Sequence, residues 1–501
     1  MFAIQYRYIS GRFSMLNYSP DGAARKPHSR QFKPLLFILL STTFLSACAV
    51  QESQLYSQST DFRVASSFSA FAQSQPHMVD DGWLKSFKSA RLEGLVVEAL
   101  ANNRDLRIAA ANLVISRAKA LQAGAQLLPS VTGSVTGSTE NTLSGGGANI
   151  NGIDIGFNVS WEVDLWGRIR GNRAAAQLDA VSEELLYEYT RQSIASQVVE
   201  NWIIINGNRQ ILNIAYAEVS SRKETLANTR ARIAEQSALA VDESQASANL
   251  ELANNRVAAA QGKVEESVRA LEVLLGRYPD AKTDVYGSLP YLSASVSAGL
   301  PSELLERRPD IIAAERQVAA AFYRRGEAKA AKLPSLKLSA SLMGSGGTIG
   351  SALTPGNIVW NLVGGIFAPL INSGQLEQDV VIATANQDAA LANYGAIALN
   401  AFREVEDALS NQKYLGRQLY HLGRAKRELR NSIDSEQERF DAGEIDLFRL
   451  ADTRIRYYDT QRAAVGVHVA YLLNRVQLHL ALGGSFEAAP SLAIVVVAEA
   501  N

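Results

Sequence analysis

Two stretches of the chain alternate apolar and polar residues strictly, and two much longer ones repeat apolar residues every three or four positions. Ile153, Ile155, Phe157, Val159, Trp161 and Val163 alternate with Asp154, Gly156, Asn158, Ser160 and Glu162, which predicts a strand with one apolar face. Val131 to Ser138 reads as its weaker partner, with Gly145, Gly146 and Gly147 in the loop between them. Later, Leu336, Leu338, Ala340 and Leu342 alternate with Lys337, Ser339 and Ser341. A glycine-rich loop from Gly344 to Gly350 and a fourth run through Ile358, Trp360, Leu362, Gly364 and Ile366 follow. Two β-hairpins are therefore expected, over about 130–163 and 335–368.

The helical pattern fills the rest. Leu92, Leu95, Val96 and Leu100 predict a helix from about Arg91, and Leu106 through Leu121 continue it after the Asn102-Asn103 break, up to Pro129. No proline lies between Pro129 and Pro279 or between Pro369 and Pro490, so both blocks lack the strongest helix breaker. The first block predicts a helix from about Ile169 to Ala234 and a return from about Val241 to Leu275. An outgoing helix of that size spans roughly 100 Å. In the second block Leu391, Tyr394, Ala398, Phe402, Val405 and Leu409 form one coiled-coil seam, and Val465, Val469, Leu472 and Val476 form another on the return. The hairpin tips fall at Gln236 to Val241 and Asp441 to Asp446, with Gly443 as a helix-terminating glycine.

The chain also starts over. Asp105 opens a run leading to Leu128-Pro129-Ser130, and Asp310 opens a matching run leading to Leu333-Pro334-Ser335, both about 205 residues later. Val199-Glu200 is answered by Val405-Glu406, and Leu275-Gly276 by Leu482-Gly483. This is the mark of a tandem duplication, with repeats over 83–298 and 299–484 and a tail over 485–501. At the junction, Pro301-Ser302-Glu303 reads as a turn and helix N-cap, and Pro309 as a first helical position with Asp310 in the first turn. Glu200 and Glu406 are expected to be interhelical partners.

Composition narrows the function. A formal net charge of -1 lacks the basic excess of a nucleic-acid binder. The five histidines (His28, His77, His421, His468, His479) are scattered without zinc-helix spacing, so no metal site is expected. Gly145 to Gly147 is no phosphate cradle, because no Lys-Ser/Thr and no helix follow it. There is no Gly-x-Ser-x-Gly, no Cys/His pair and no isolated carboxylate dyad, so neither an enzyme nor a cofactor is expected. The single cysteine, Cys48, follows Leu45-Ser46-Ala47 and an apolar run from Leu35 to Leu40 behind Arg25, Lys26, Arg30 and Lys33. That layout is a secretory signal over 1–47 ending in a sequence like a bacterial lipobox, with Cys48 as the lipid attachment. The leader is long, and Met15 is an alternative start. The Ser- and Gln-rich segment over 48–82 is expected to be flexible or draped on the surface behind that anchor.

The hairpins fit a soluble sandwich or an outer-membrane sheet edged by Trp161, Trp166 and Trp360. Four strands cannot close a barrel, and an open edge cannot lie in lipid. The membrane reading therefore needs several chains to share one barrel, and the residues alone allow two, three or four.

Gly299-Leu-Pro-Ser-Glu-Leu-Leu-Glu-Arg-Arg-Pro-Asp-Ile311, followed by Ala313-Ala314-Glu315-Arg316, resembles the signature of outer-membrane efflux channel proteins, the TolC/OprM-like family and its lipoprotein branch. Pro301, Arg307, Arg308, Pro309 and Asp310 carry the match. The resemblance implies an α+β membrane protein in which three chains form a twelve-strand barrel, continued by a barrel of long antiparallel α-helices. It implies the passive exit channel of a tripartite efflux system in the bacterial outer membrane. The partners would be a homotrimer, a periplasmic adaptor and an inner-membrane pump of the RND type. The tips, with Gln236, Ser237, Leu239, Val241, Gly443, Glu444 and Ile445, would then close the channel and meet the adaptor. Gln236-Ser237 stands where the family usually has a glycine. Asp452 falls at the family's gate-lining aspartate, with Arg449 where some relatives carry a second one. A plain exposed Arg449–Asp452 pair is the alternative. The family's strand-to-helix passage resembles Trp161 to Arg168, which makes Asp164 and Arg168 structural. A type I protein-secretion channel, or a lipid-anchored coiled-coil protein without a pore, are the alternative functions.

Overall fold

The structure is a computed structural model that describes residues 65, 67–69, 81–141, 149–292 and 299–487. Cys48, the expected signal and the Gly145–Gly147 loop lie outside the described residues. A 3-10 turn, Trp83–Phe87, leads into α1 (Ala90–Asn102) and α2 (Arg104–Ala125). Ser89 caps α1 by accepting from the Leu92 N–H at 3.3 Å, and Asn103 caps α2 by accepting from the Leu106 N–H at 3.0 Å. The hairpin β1 (Ser130–Asn141) and β2 (Asn149–Val163) follows, then α3 (Arg168–Ala234) and α4 (Ala240–Leu274).

After an extended passage come α5 (Pro301–Arg307), α6 (Pro309–Ala330) and β3 (Ser335–Gly346). Then come a one-turn helix α7 (Ile349–Ala352), β4 (Ile358–Phe367), α8 (Gln375–Asp441) and α9 (Leu447–Ala481). Lengths recur in order. α3 and α8 have 67 residues each and begin 207 apart, at Arg168 and Gln375. α4 and α9 have 35 each and begin 207 apart, at Ala240 and Leu447.

The four strands form one antiparallel sheet in the order β1-β2-β3-β4. All the helices between β2 and β3 are therefore an excursion from the sheet. α3 and α8 each run about 100 Å at 1.5 Å per residue. Their partners pack antiparallel beside them, and α3 also packs along α9. No helix among the described residues is long and apolar enough to cross a membrane.

The main core sits midway along α3. Ile194, Val198, Val199, Trp202, Ile203 and Ile205 pack there with α1, the end of α4 and Leu472 and Val476 of α9. In the expected seams Ala398, Val405, Leu409, Val465, Leu472 and Val476 are buried.

Several expectations are corrected. The glycine-rich stretch 344–350 is not a loop. β3 runs through Gly344 and Gly346, and α7 lies so close that a Cβ on Gly344 would sit 2.0 Å from the Ala352 carbonyl oxygen. Glycine is required there for helix-on-strand contact rather than for a turn. Pro301 is the first residue of α5 and not a turn, although Pro309 does begin α6 with Asp310 in its first turn. Segment 48–82 is not wholly draped on the surface, since Phe68 is buried among Leu304, Val405, Leu478 and Leu482. Glu406 accepts from the N–H and hydroxyl of Ser69, which lies in no helix. Glu200 instead meets Gln477 of α9, and burial pushes its carboxyl above the usual range.

Candidate functional site

The register of the sheet sets an apolar face against a largely polar one. Antiparallel partners share a face, so the pairs Val131↔Val159, Val159↔Ala340 and Ala340↔Leu362 form one apolar row across all four strands. The next rows on that face are Gly133, Phe157, Leu342 and Trp360, then Val135, Ile155, Gly344 and Ile358. The opposite face carries Ser130, Thr132, Asp154, Asn158, Ser160, Glu162, Lys337, Ser339, Ser341 and Asn361. Toward β4 it turns apolar at Val359, Val363 and Phe367.

Among the described residues no helical layer covers either face, and α7 and the 3-10 turn Pro355–Asn357 rest against the far end. Val131, Val135, Phe157, Trp360, Leu362 and Ile366 are left exposed. Among the described residues neither β1 nor β4 has an outer neighbour. At the helical end of the sheet the Trp161 and Trp166 indole N–H groups donate to the carbonyls of Leu127 (3.0 Å) and Pro334 (2.7 Å). Asp164 accepts from the N–H groups of Ile169 (3.1 Å) and Arg170 (2.9 Å), which caps α3. Arg168 donates to Glu162 at 2.9 Å.

At the other end of the long helices lie two tips built alike. The N–H of Gln236 donates to Ile233 and that of Ser237 to Arg232, at 2.9 and 2.8 Å. Gly443 and Glu444 do the same to Phe440 and Arg439, at 2.9 and 2.8 Å. Both are Schellman closures, which need a left-handed residue. Gly443 supplies it with φ 74°, and Gln236 supplies it with φ 58°. The first turn thus keeps the shape of the second without its glycine. Leu239 is the N-cap of α4, its N–H bound to Asp242 at 2.9 Å, and Leu239 and Val241 are exposed. Glu444 pairs with Arg439 at 3.1 Å, and Ile445 is half-buried.

The expected Arg449–Asp452 pair is absent. Asp452 pairs with Arg456 one turn on, at 2.9 Å, both exposed, while Arg449 reaches Glu436 of α8 at 3.4 Å. Each residue therefore has a partner of its own within one hairpin.

Comparison with known proteins now decides the lineage. The profile of the family described as outer membrane efflux protein matches residues 95–277 and again 300–484. The chain belongs to that family. It is 29% identical over 418 residues to the cation efflux system protein CusC of Escherichia coli, which covers 81% of this chain and 88% of CusC. To the pyoverdine export outer membrane protein OpmQ of Pseudomonas aeruginosa it is 31% identical over 422 residues, covering 81% and 87%. The crystal structure of the Campylobacter jejuni CmeC outer membrane channel superposes with a TM-score of 0.79 at 25% identity, covering 86% and 94%.

In this efflux protein the signature residues fasten the middle of the molecule. Arg308 is buried and donates to Asp310 (3.0 and 2.8 Å), Glu404 (2.7 Å) and the Ala481 carbonyl (3.2 Å). Arg307 reaches Asp81 at 2.6 Å and the Gly483 carbonyl at 3.1 Å. Both arginines thereby bind the end of α9 to the junction, and Arg308 adds the middle of α8, a fastening role.

Sequence reasoning missed Glu218. Its side chain is fully buried and receives Arg462 of α9 at 2.7 Å, Arg256 of α4 at 2.8 Å and Arg222 at 3.4 Å. One carboxylate thus joins both hairpins. Three further contacts span them nearer the tips: Tyr458 to the Ala217 carbonyl (3.3 Å), Arg454 to Glu224 (3.6 Å) and Arg232 to Asp446 (3.9 Å). No periodicity announces such a cluster, because its members come from three helices far apart in sequence. Among the described residues no group of His, Cys, Asp and Glu is placed to hold a metal.

Proposed function

We propose that this chain is the outer-membrane exit duct of a tripartite efflux system, in which three copies pool their strands into one twelve-strand barrel. The sheet carries this reading: one face apolar through all four strands, the other largely polar, and both edges open. Lipid tolerates the apolar face but not open edges, so the edges must meet further strands. Strands of 10 to 15 residues suit a tilted crossing. The recurrence of element lengths supports descent by duplication, which gives each copy two hairpins for the membrane and two for the periplasm.

Conduction is passive in this reading. A periplasmic adaptor meets the tips and an inner-membrane pump of the RND type supplies the energy, so the duct selects by width and by rings of charge. Cys48 carries the lipid that anchors the mature N-terminus. Cys48→Ser should abolish labelling by radioactive palmitate while the barrel still inserts, and label retained in the variant would remove that assignment. The assembly is tested by native mass spectrometry of protein extracted from outer membranes. Three chains per particle are expected, and a single chain would overturn the shared barrel.

A further inference from the structure

The two β-hairpins differ in charge, and the second one is the exception. From Leu338 to Leu376 the chain has no Asp, Glu, Lys, Arg or His, although 20% of all its residues are charged. The first hairpin carries Glu140, Asp154 and Glu162. Charged side chains belong where water is, so their complete exclusion from β3, β4 and the connection between them points that connection away from water.

The connection also satisfies its own polar groups. The Ser351 N–H donates to the Thr348 hydroxyl at 3.2 Å, and the Thr348 N–H donates to the Ser351 hydroxyl at 3.0 Å. The Thr354 hydroxyl donates to the Gly350 carbonyl at 3.2 Å, and the Asn357 side-chain amide to the Ser351 carbonyl at 2.8 Å. The N–H groups of Ala352, Leu353 and Thr354 donate to the carbonyls of Thr348, Ile349 and Ser351, at 3.0, 3.2 and 3.2 Å. Water makes such closure unnecessary, whereas lipid demands it.

Packing sets the side of the sheet on which α7 lies. The apolar positions of β3 run Leu336, Leu338, Ala340 and Leu342, then end in Gly344 and Gly346. A Cβ at Gly344 would collide with Ala352, and one at Gly346 with Ser351, so α7 rests on the apolar face where that face has lost its side chains. Ala352 is fully buried there, while Ile349 and Leu353 are each 57% exposed and restore the apolar surface that the glycines interrupt. On the polar face at the same level Ser345 donates to Asp154, so the charge stays on that side. α7 touches β3 and β2, the inner strands, and leaves free the edges of β1 and β4 through which copies would join.

We infer that α7 is seated in the outer leaflet of the membrane at its headgroup boundary, with Ile349 and Leu353 against acyl chains. The inference rests on the proposed shared barrel and extends its lipid surface from strands to a loop. The level fits. From Trp161, paired with Leu338 at the helical end, to Ile153, paired with Gly346, β2 advances about 26 Å, or about 20 Å along the membrane normal at a tilt near 40°. The apolar band of such a barrel is about 25 Å tall, which sets α7 at the border farther from the helices. The occupant is hydrocarbon and not a phosphate group, because the one cation in the two hairpins, Lys337, stands at the opposite end of the sheet.

The test is power-saturation EPR of nitroxides at Ile349→Cys, Leu353→Cys and, as the reference in the middle of the apolar face, Phe157→Cys. Assemblies are reconstituted in phosphatidylcholine vesicles, and the signal of the parent chain is subtracted. Oxygen concentrates in lipid and a nickel chelate stays in water. Collisions with oxygen should exceed those with the chelate at all three sites, and 349 and 353 should lie shallower than 157. A label at 157 in lipid with 349 and 353 open chiefly to the chelate puts α7 in water, and labels at 349 and 353 shielded from both reagents put it against protein. Either result overturns the seat of α7 and leaves the barrel standing. A label at 157 open chiefly to the chelate overturns the barrel and this inference with it.

Discussion

Gln236 occupies the backbone position that Gly443 occupies at the other tip, φ 58° against 74°, and a side chain in that region costs about 1 kcal/mol. Gln236→Gly should relieve that cost and slow amide exchange of the segment around Arg232 to Leu239 by roughly fivefold in exchange mass spectrometry. Exchange unchanged or faster would mean that the turn is not strained. A second residue-scale effect concerns His479, buried against Trp83 with ring centroids 5.6 Å apart. Burial and then the nearby Arg475 charge push its pKa down to about 3. The folded chain keeps this imidazole neutral while the unfolded chain protonates it near pH 6.5, so stability is lost as pH falls from about 6.5 toward 3. The loss approaches about 1.4 kcal/mol per pH unit for each chain. His479→Phe keeps the ring stack and removes the proton site, so its unfolding temperature should fall less than that of the wild type between pH 7 and 5. Glu200, shifted the opposite way, is common to both proteins and cancels. Parallel curves for the two proteins would refute the neutral His479.

At the scale of elements, the long helices were legible because nothing interrupts them. The proline-free block anticipated α3 from Ile169 to Ala234, and the helix runs from Arg168 to Ala234. Alternation likewise marked the strands, β1 more weakly, since an apolar face opposite a largely polar one imposes a period of two. What escaped was long-range or steric. The burial of Phe68 depends on a pocket made by α5, α8 and α9, and Gly344 was read as part of a loop when its real constraint is the Ala352 carbonyl. Glu218 was invisible for the same reason, because beyond Arg222 one turn away its other two arginines are 38 and 244 residues away. The apolar face of the sheet yields its own prediction. Phe157 stands exposed in its second row, and Phe157→Arg should destabilise the assembly by about 2 to 4 kcal/mol if that row lies near mid-bilayer. Multimers as heat-resistant as the wild type on gels would take this face out of lipid.

For the whole molecule, the sheet and the tips sit at opposite ends of helices about 100 Å long, so a duct can be closed far from where it is anchored. Closure would converge copies of Asp452, each exposed and paired with its own Arg456 at 2.9 Å. Such a pair is weak and screened, so it leaves most of the carboxylate's field available to passing ions. The direct test of passive conduction through a tip-closed duct is single-channel recording in planar bilayers from purified assemblies. Wild-type protein should give small, cation-preferring steps. Asp452→Ala should give larger steps with weaker cation preference, and Asp379→Ala, about 90 Å from the tip, should behave like the wild type. Bilayers that stay silent with both wild-type and Asp452→Ala assemblies, although both have inserted, would contradict the account.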